Sequence, residues 1–130
     1  MSRAALLLST LLLLFYSAIA FSGAGDYVVD KSSAEVFFYG FEVQRITGLH
    51  ESDIENYGCR YTIERQSFLG ALHPNSSKNK YQRLDVRGEV VFSKTTVYFI
   101  DRTGVVRLGN KEYLLDKKSF VSEIRPIGKC

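Results

Sequence analysis

The stretch that decides the fold covers residues 83–115 and reads RLDVRGEVVFSKTTVYFIDRTGVVRLGNKEYLL. Apolar and polar residues alternate in its first part, which is typical of a half-buried strand. Turn residues then separate three further apolar runs, and Gly109-Asn110 is a two-residue hairpin signal. The pattern predicts a four-stranded antiparallel meander. The predicted strands cover residues 83–92, 96–101, 105–108 and 111–115.

The polar side of the first predicted strand carries Asp85, Arg87 and Glu89. Their charges alternate in sign at a spacing of two, which indicates a solvated face that compensates its own charge. A catalytic pair of carboxyls needs two different environments to separate the two pKa values. A regular exposed strand supplies only one environment, so we expect no acid–base pair there.

The residues before the meander predict a helix over 34–46. Ser32 and Glu35 have the spacing of a capping box, and Gly48 offers a helix end with positive φ. A strand is the alternative, because residues 36–43 are rich in aromatic side chains. Four apolar residues fall at the spacing of one helix face: Ala34, Phe37, Phe38 and Phe41.

The remaining segments complete an α+β prediction. Residues 59–64 alternate like a strand, and residues 73–80 are polar enough to predict an exposed loop. We therefore expect a single α+β domain over residues 21–130, with an antiparallel four- to five-stranded meander and helices packed on one face. Short helices are predicted over residues 52–55, 67–72 and 117–124, the last capped by Asp116.

Residues 1–20 have the features of a secretory signal peptide. Arg3 supplies the positive start, residues 4–16 are apolar, and Ala18 and Ala20 provide the small residues of a cleavage site. We expect cleavage after Ala20 and a periplasmic or secreted protein with no stable membrane insertion. The alternative is an uncleaved anchor, although the apolar segment is at the short limit for a spanning helix.

Cys59 and Cys130 are the only cysteines of the chain. In an oxidising compartment an even number of cysteines most simply predicts one disulfide bond. This bond would close a loop of about 70 residues and stabilise the fold by about 4 kcal/mol. The alternative makes Cys59 a nucleophile with His50 or His73 as its base. The cysteine and histidine spacings match no zinc pattern, so we expect no metal.

The composition favours a binding protein over a catalyst. The formal net charge of +3 is too small for a dedicated nucleic-acid binder. The sequence has no nucleophile elbow, P-loop or zinc-protease motif, so we expect no cofactor and no catalytic residues. Six tyrosines spread over the predicted domain cannot all belong to its core, namely Tyr39, Tyr57, Tyr61, Tyr81, Tyr98 and Tyr113. Tyrosine and arginine are enriched at protein interfaces. The residues predicted to contact a partner are His73, Asn75, Tyr81, Arg83, Arg102, Arg107 and Tyr113.

The function predicted from these features is that of a small exported, non-catalytic protein-binding domain, present as a monomer or weak homodimer. Its partner is expected to be another exported or envelope protein. One form of such a binder is an inhibitor, as bacterial immunity proteins are for envelope-acting toxins. A small hydrolase using His50 with Asp53 or Glu55 is one alternative, which a concave pocket joining these groups would favour. An envelope structural or lipid-contacting protein is the other.

Overall fold

The computed structural model describes residues 32–130, so the predicted leader and the cleavage site after Ala20 lie outside the described residues. One antiparallel sheet of eight strands dominates this part of the chain, in the order β3-β7-β6-β5-β4-β1-β2-β8. The strands are β1 (Ser33–Phe38), β2 (Cys59–Glu64), β3 (Leu72–Pro74), β4 (Val86–Val91), β5 (Val97–Asp101), β6 (Val105–Leu108), β7 (Lys111–Leu115) and β8 (Arg125–Pro126).

Four short helical elements accompany the sheet. They are a 3-10 turn at Glu51–Asp53, α1 (Ile54–Tyr57), α2 (Arg65–Gly70) and α3 (Lys117–Glu123). The carboxylate of Asp116 accepts the backbone N–H of Ser119 at 3.2 Å and thereby caps α3. No helix within residues 32–130 has the length and apolar character that crossing a membrane requires.

The predicted meander is confirmed, because β4, β5, β6 and β7 are neighbours in chain order. Gly109 adopts a positive φ of 58° in the hairpin turn between β6 and β7. The predicted number of four to five strands is wrong, since the sheet has eight. The extra strands include β3 and β8, which are three and two residues long and therefore too short to show a period in the sequence.

The predicted helix over residues 34–46 is also wrong, because Ser33–Phe38 forms β1 and residues 39–46 are irregular. The strand pairs with β2 on one side and with β4 on the other, so both of its edges are occupied. Alternate side chains then point to opposite faces of the sheet. Ala34, Val36 and Phe38 are buried on one face, and Phe37 packs on the other. The helical spacing of its aromatic residues is coincidental.

Gly48 does not end a helix with positive φ as predicted. The backbone of Gly48 instead passes directly against the chain before β4. A Cβ atom at this position would lie 1.9 Å from the carbonyl oxygen of Leu84, which no side chain tolerates. Glycine is therefore required by a close approach of two backbone segments.

Both faces of the sheet are covered. Helices α2 and α3 bury Phe68 and Phe120 against the face that carries Val36 and Phe38. The opposite face is covered by the segment that contains α1, through Leu49 and Ile54. The prediction of helices on one face thus holds for α2 and α3 but not for α1.

The predicted disulfide is confirmed. Cys59 at the start of β2 is bonded to Cys130, 71 residues further along the chain. The backbone N–H of Ile127 also donates to the carbonyl of Arg60 at 2.9 Å. The C-terminal residues are therefore fixed along the β2 side of the sheet, and the alternative of a reactive Cys59 is excluded.

Candidate functional site

Two shallow depressions lie beside the β6–β7 hairpin turn and share Glu112. Six of the seven residues predicted to contact a partner line one or the other. The first, of about 330 Å³, contains Lys80, Tyr81, Arg83, Arg107, Gly109, Asn110 and Glu112. The second, of about 320 Å³, contains Leu72, His73, Pro74, Asn75, Lys111, Glu112 and Tyr113. We call the two together the hairpin-end site.

The seventh residue, Arg102, lies apart from this site. It belongs to the turn between β5 and β6, at the end of β6 away from the β6–β7 turn. Its backbone N–H donates to the carbonyl of Asp85 at 2.9 Å. Arg102 lines neither depression of the hairpin-end site.

Glu51 joins the two central residues of the first depression. The hydroxyl of Tyr81 donates to Glu51 Oε1 at 2.8 Å, and Arg107 Nε donates to the same oxygen at 3.0 Å. The guanidinium of Arg107 lies 5.4 Å from the ring centroid of Tyr81 and 5.3 Å from that of Phe99. Tyr81 and Arg107 are thus held rigidly by contacts within the chain.

The electrostatics of this triad fix its protonation states. Burial raises the pKa of the Tyr81 phenol, and the hydrogen bond to Glu51 and its negative charge raise it further. Burial acts to lower the pKa of Arg107, but the hydrogen bond and charge of Glu51 outweigh it and the pKa rises. Tyr81 is therefore neutral and Arg107 charged at physiological pH, and the phenol is no nucleophile.

The cations that remain available for a partner are Lys80, Arg83 and Lys111. All three are exposed, and none forms an ion pair among residues 32–130. Glu112 is occupied, because its Oε1 accepts the backbone N–H of Tyr81 at 2.6 Å. The hairpin-end site thus presents free positive charge around a preorganised Tyr–Arg stack.

The carboxylates near His50 are each engaged with another group. Asp53 Oδ2 accepts the backbone N–H of His50 at 3.1 Å, which closes the 3-10 turn. Glu51 accepts from Tyr81 and Arg107, and Glu55 lies close enough to Glu89 to raise the pKa of that carboxyl. His50 does line a shallow depression with Arg83. The geometry therefore gives little support to a hydrolase built on His50.

Sequence reasoning missed the burial of Arg87, which was predicted to lie on a solvated face. Arg87 is 2% exposed, and it donates to the carbonyl oxygens of Gly40, at 3.1 Å, and Val43. It also forms an ion pair with Asp85 at 3.2 Å. The prediction fails because a β-bulge between Val86 and Gly88 interrupts the alternation and residues 39–58 fold over this face.

Glu89, predicted on the same solvated face, is only 5% exposed. It lies opposite Phe37 of β1 and opposite Phe99 of β5 in the sheet. Burial raises its pKa from the ordinary value of 4.5 to about 7, and the neighbouring carboxyl of Glu55 adds to the rise. No local sequence signal identifies this pair, because its members are far apart in the chain.

Two further findings concern metal binding and similarity to known proteins. Within residues 32–130 no three histidine, cysteine or acidic side chains are arranged to hold a metal ion. The chain matches no protein-family model, no characterised protein and no solved structure.

Proposed function

We propose that this chain is a small exported, non-catalytic binding protein whose partner docks on the hairpin-end site. The observation that carries the proposal is the convergence of six residues, separated by up to 40 positions, on two adjoining depressions. These residues have polar, aromatic or cationic side chains that can form a protein interface. They come from two stretches of the chain, residues 73–83 and the β6–β7 hairpin, whereas Arg102 lies apart.

The form of the site suits a protein partner. Tyrosine and arginine are the side chains most often found at the centre of protein interfaces. Here Glu51 already fixes Tyr81 and Arg107, so little side-chain entropy is lost when a partner binds. The two depressions are open and adjoin each other, so neighbouring side chains on the surface of one partner protein can enter both.

The charge of the site indicates the chemistry of the partner. Lys80, Arg83 and Lys111 are exposed cations without an ion pair in the described part of the chain. Such groups steer an acidic surface and raise the association rate. We therefore infer that the partner presents aspartate or glutamate side chains to this site.

Two features support the proposed compartment. The leader over residues 1–20 predicts export, and the bond between Cys59 and Cys130 is typical of proteins outside the cytosol. The partner is then another exported or envelope protein. One form of the proposal makes the partner an envelope-acting toxin or enzyme, which the chain inhibits by covering it.

The test is quantitative capture of the partner from an envelope extract with the purified disulfide-bonded protein. We expect the variant K80E/R83E to bind the captured protein at least about tenfold more weakly, because two attractive charges become repulsive. R102E is the matched control, since it reverses a charge outside the site. Equal binding by K80E/R83E and the unchanged protein would refute the proposed surface.

A second candidate function is contact with lipid, and one feature favours it. An open apolar groove of about 600 Å³ is bordered by Val43, Val121 and two lysines, Lys117 and Lys118. Val43 and Val121 are 43% and 50% exposed. Co-sedimentation with anionic vesicles tests this function. Binding that V121E abolishes would favour it, and absence of binding would exclude it.

A further inference from the structure

Residues 79–85 lead from the exposed loop after β3 into β4, and they form neither a helix nor a strand. This segment carries two of the three exposed cations of the hairpin-end site, Lys80 and Arg83. A segment outside helices and strands takes the partners of its backbone groups from other parts of the chain. Those partners therefore decide how firmly the two cations are held.

Two carboxylates of the sheet hold the backbone between these cations. Glu112 of β7 accepts the N–H of Tyr81 on Oε1 at 2.6 Å. Asp101 at the end of β5 accepts the N–H of Gln82 on Oδ2 at 2.9 Å. Hydrogen bonds to an ionised acceptor are about twice as strong as bonds between neutral groups. Two adjacent amides are thus each fixed to a different strand, and we call Asp101 and Glu112 the carboxylate clamp.

Asp101 is suited to this role because its own side chain is fixed. The residue is fully buried. Its Oδ1 accepts the N–H and the hydroxyl of Thr103 at 2.9 and 2.7 Å, and the N–H of Val105 at 2.9 Å. These three bonds hold the turn between β5 and β6, so Oδ2 is presented to Gln82 from a rigid base.

The residues on either side of the clamped amides have further contacts. The carbonyl of Lys80 accepts the side-chain amide of Gln82 at 3.3 Å. The carbonyl of Gln82 accepts the N–H of Asp85 at 3.1 Å, and the carbonyl of Asp85 accepts the N–H of Arg102 at 2.9 Å. The backbone that carries the two cations is therefore held along its length, while their side chains stay exposed.

We propose that the carboxylate clamp positions Lys80 and Arg83 for binding an acidic partner. Asp101 and Glu112 carry the same sign of charge as the expected ligand groups, so they act through the backbone that they hold and not by contact with the ligand. Both are positioning residues. Their role in binding rests on the proposed function, whereas the fixing of residues 81–82 does not.

The carboxylate of Glu112 has two opposite effects on binding. By holding the Tyr81 amide it spares the partner the cost of ordering a mobile segment. By its negative charge it weakens the attraction of the neighbouring cations for an acidic group. Substitutions at this residue can separate the two effects, because glutamine keeps the acceptor oxygen without the charge and alanine keeps neither.

Hydrogen exchange of the Tyr81 and Gln82 amides tests the clamp without a partner. We expect E112A to speed exchange at Tyr81 at least about tenfold, and E112Q to stay within about threefold of the wild type. D101N retains one acceptor oxygen, which the β5–β6 turn occupies, so exchange at Gln82 should also rise at least about tenfold. E123A is the control and should follow the wild type. Unchanged exchange at Tyr81 in E112A would overturn the clamp, even if D101N failed to fold.

Titration with a hexaglutamate peptide at low salt, followed by the amide NMR signals of Lys80 and Arg83, tests the role in binding. We expect E112Q to bind about twofold more tightly than the wild type, because a repulsive charge is gone. E112A should bind at least about threefold more weakly than E112Q, because binding must then order the segment. Equal affinity of these two variants would overturn the positioning role. Absence of binding by the wild type would overturn the acidic partner and the role in binding with it, whereas amide exchange decides the clamp independently.

Discussion

The global stability of this domain is expected to fall as the pH rises through neutrality, and Glu89 is the reason. Its pKa is 4.5 ordinarily and about 7 in the folded protein. Between these values the folded chain binds more protons than the unfolded chain. The stabilisation is therefore complete below about pH 4.5 and is lost as the pH rises through 7.

The magnitude follows from the same two values. A difference from 4.5 to about 7 corresponds to at most about 3 kcal/mol between the two ends of this range. Glu55 is exposed, so water screens its part of the repulsion. We expect about 1–2 kcal/mol to be observed.

Replacing Glu89 with glutamine tests this reasoning, because the amide has the shape of the protonated carboxyl and never ionises. Urea denaturation at pH 5, 6, 7 and 8 gives the free energy of unfolding of each protein. We expect E89Q to match the wild type at pH 5 and to exceed its stability by about 1–2 kcal/mol at pH 8.

The difference between variant and wild type cancels the contribution of every ionisable group that both proteins share. E123Q is the control, since Glu123 is exposed at the end of α3. If E89Q is less stable than the wild type at pH 8, or if the difference does not depend on pH, the account of Glu89 is refuted.

Four other substitutions have expected outcomes. Arg87→Ala leaves the carbonyls of Gly40 and Val43 and the carboxylate of Asp85 without their donor. Urea denaturation should show that the free energy of unfolding falls by about 3–5 kcal/mol. A fall of less than about 1 kcal/mol would contradict this role of Arg87. Cys130→Ser removes the bond to Cys59 and should lower the free energy of unfolding by about 4 kcal/mol in the same assay. Equal stability of the variant and the wild type would contradict a stabilising role of the disulfide. Gly48→Ala should lower the melting temperature strongly, because the new Cβ meets a carbonyl at 1.9 Å. Gly70→Ala, with open space around it, should raise or maintain that temperature.

The parts of the fold that could be predicted are those encoded by neighbouring residues. The meander from β4 to β7 has its alternation, its turn residues and its hairpin within one short stretch. Asp116 caps α3 from the adjacent position. In each case the signal and the structure it specifies lie within a few residues.

The parts that could not be predicted depend on distant residues. The sequence of β1 is compatible with a helix face, and only pairing with β2 and β4 makes it a strand. Glu89 belongs to an alternating strand, and only the covering segment with Glu55 makes it buried. Tertiary context overrode the local pattern in both places.

The candidate site divides in the same way. Tyr81, Arg83 and Arg107 were identified from their chemistry, because arginine and tyrosine in exposed turns are typical of interfaces. Glu51 and Glu112 were not, since they contact Arg107 and Tyr81 across 56 and 31 positions. Glu51 fixes the side chains of Tyr81 and Arg107, and Glu112 holds the backbone of Tyr81.

The two boundary strands of the sheet have a consequence for behaviour at high concentration. β3 and β8 are only three and two residues long, and each includes a proline, Pro74 and Pro126. A second polypeptide that added a strand at either edge of the sheet would find few backbone N–H and C=O groups free to pair, and proline has no N–H to donate. The edges of this sheet are therefore poor templates for fibril growth. We expect the protein in concentrated solution neither to seed aggregates nor to bind extended peptides at these edges.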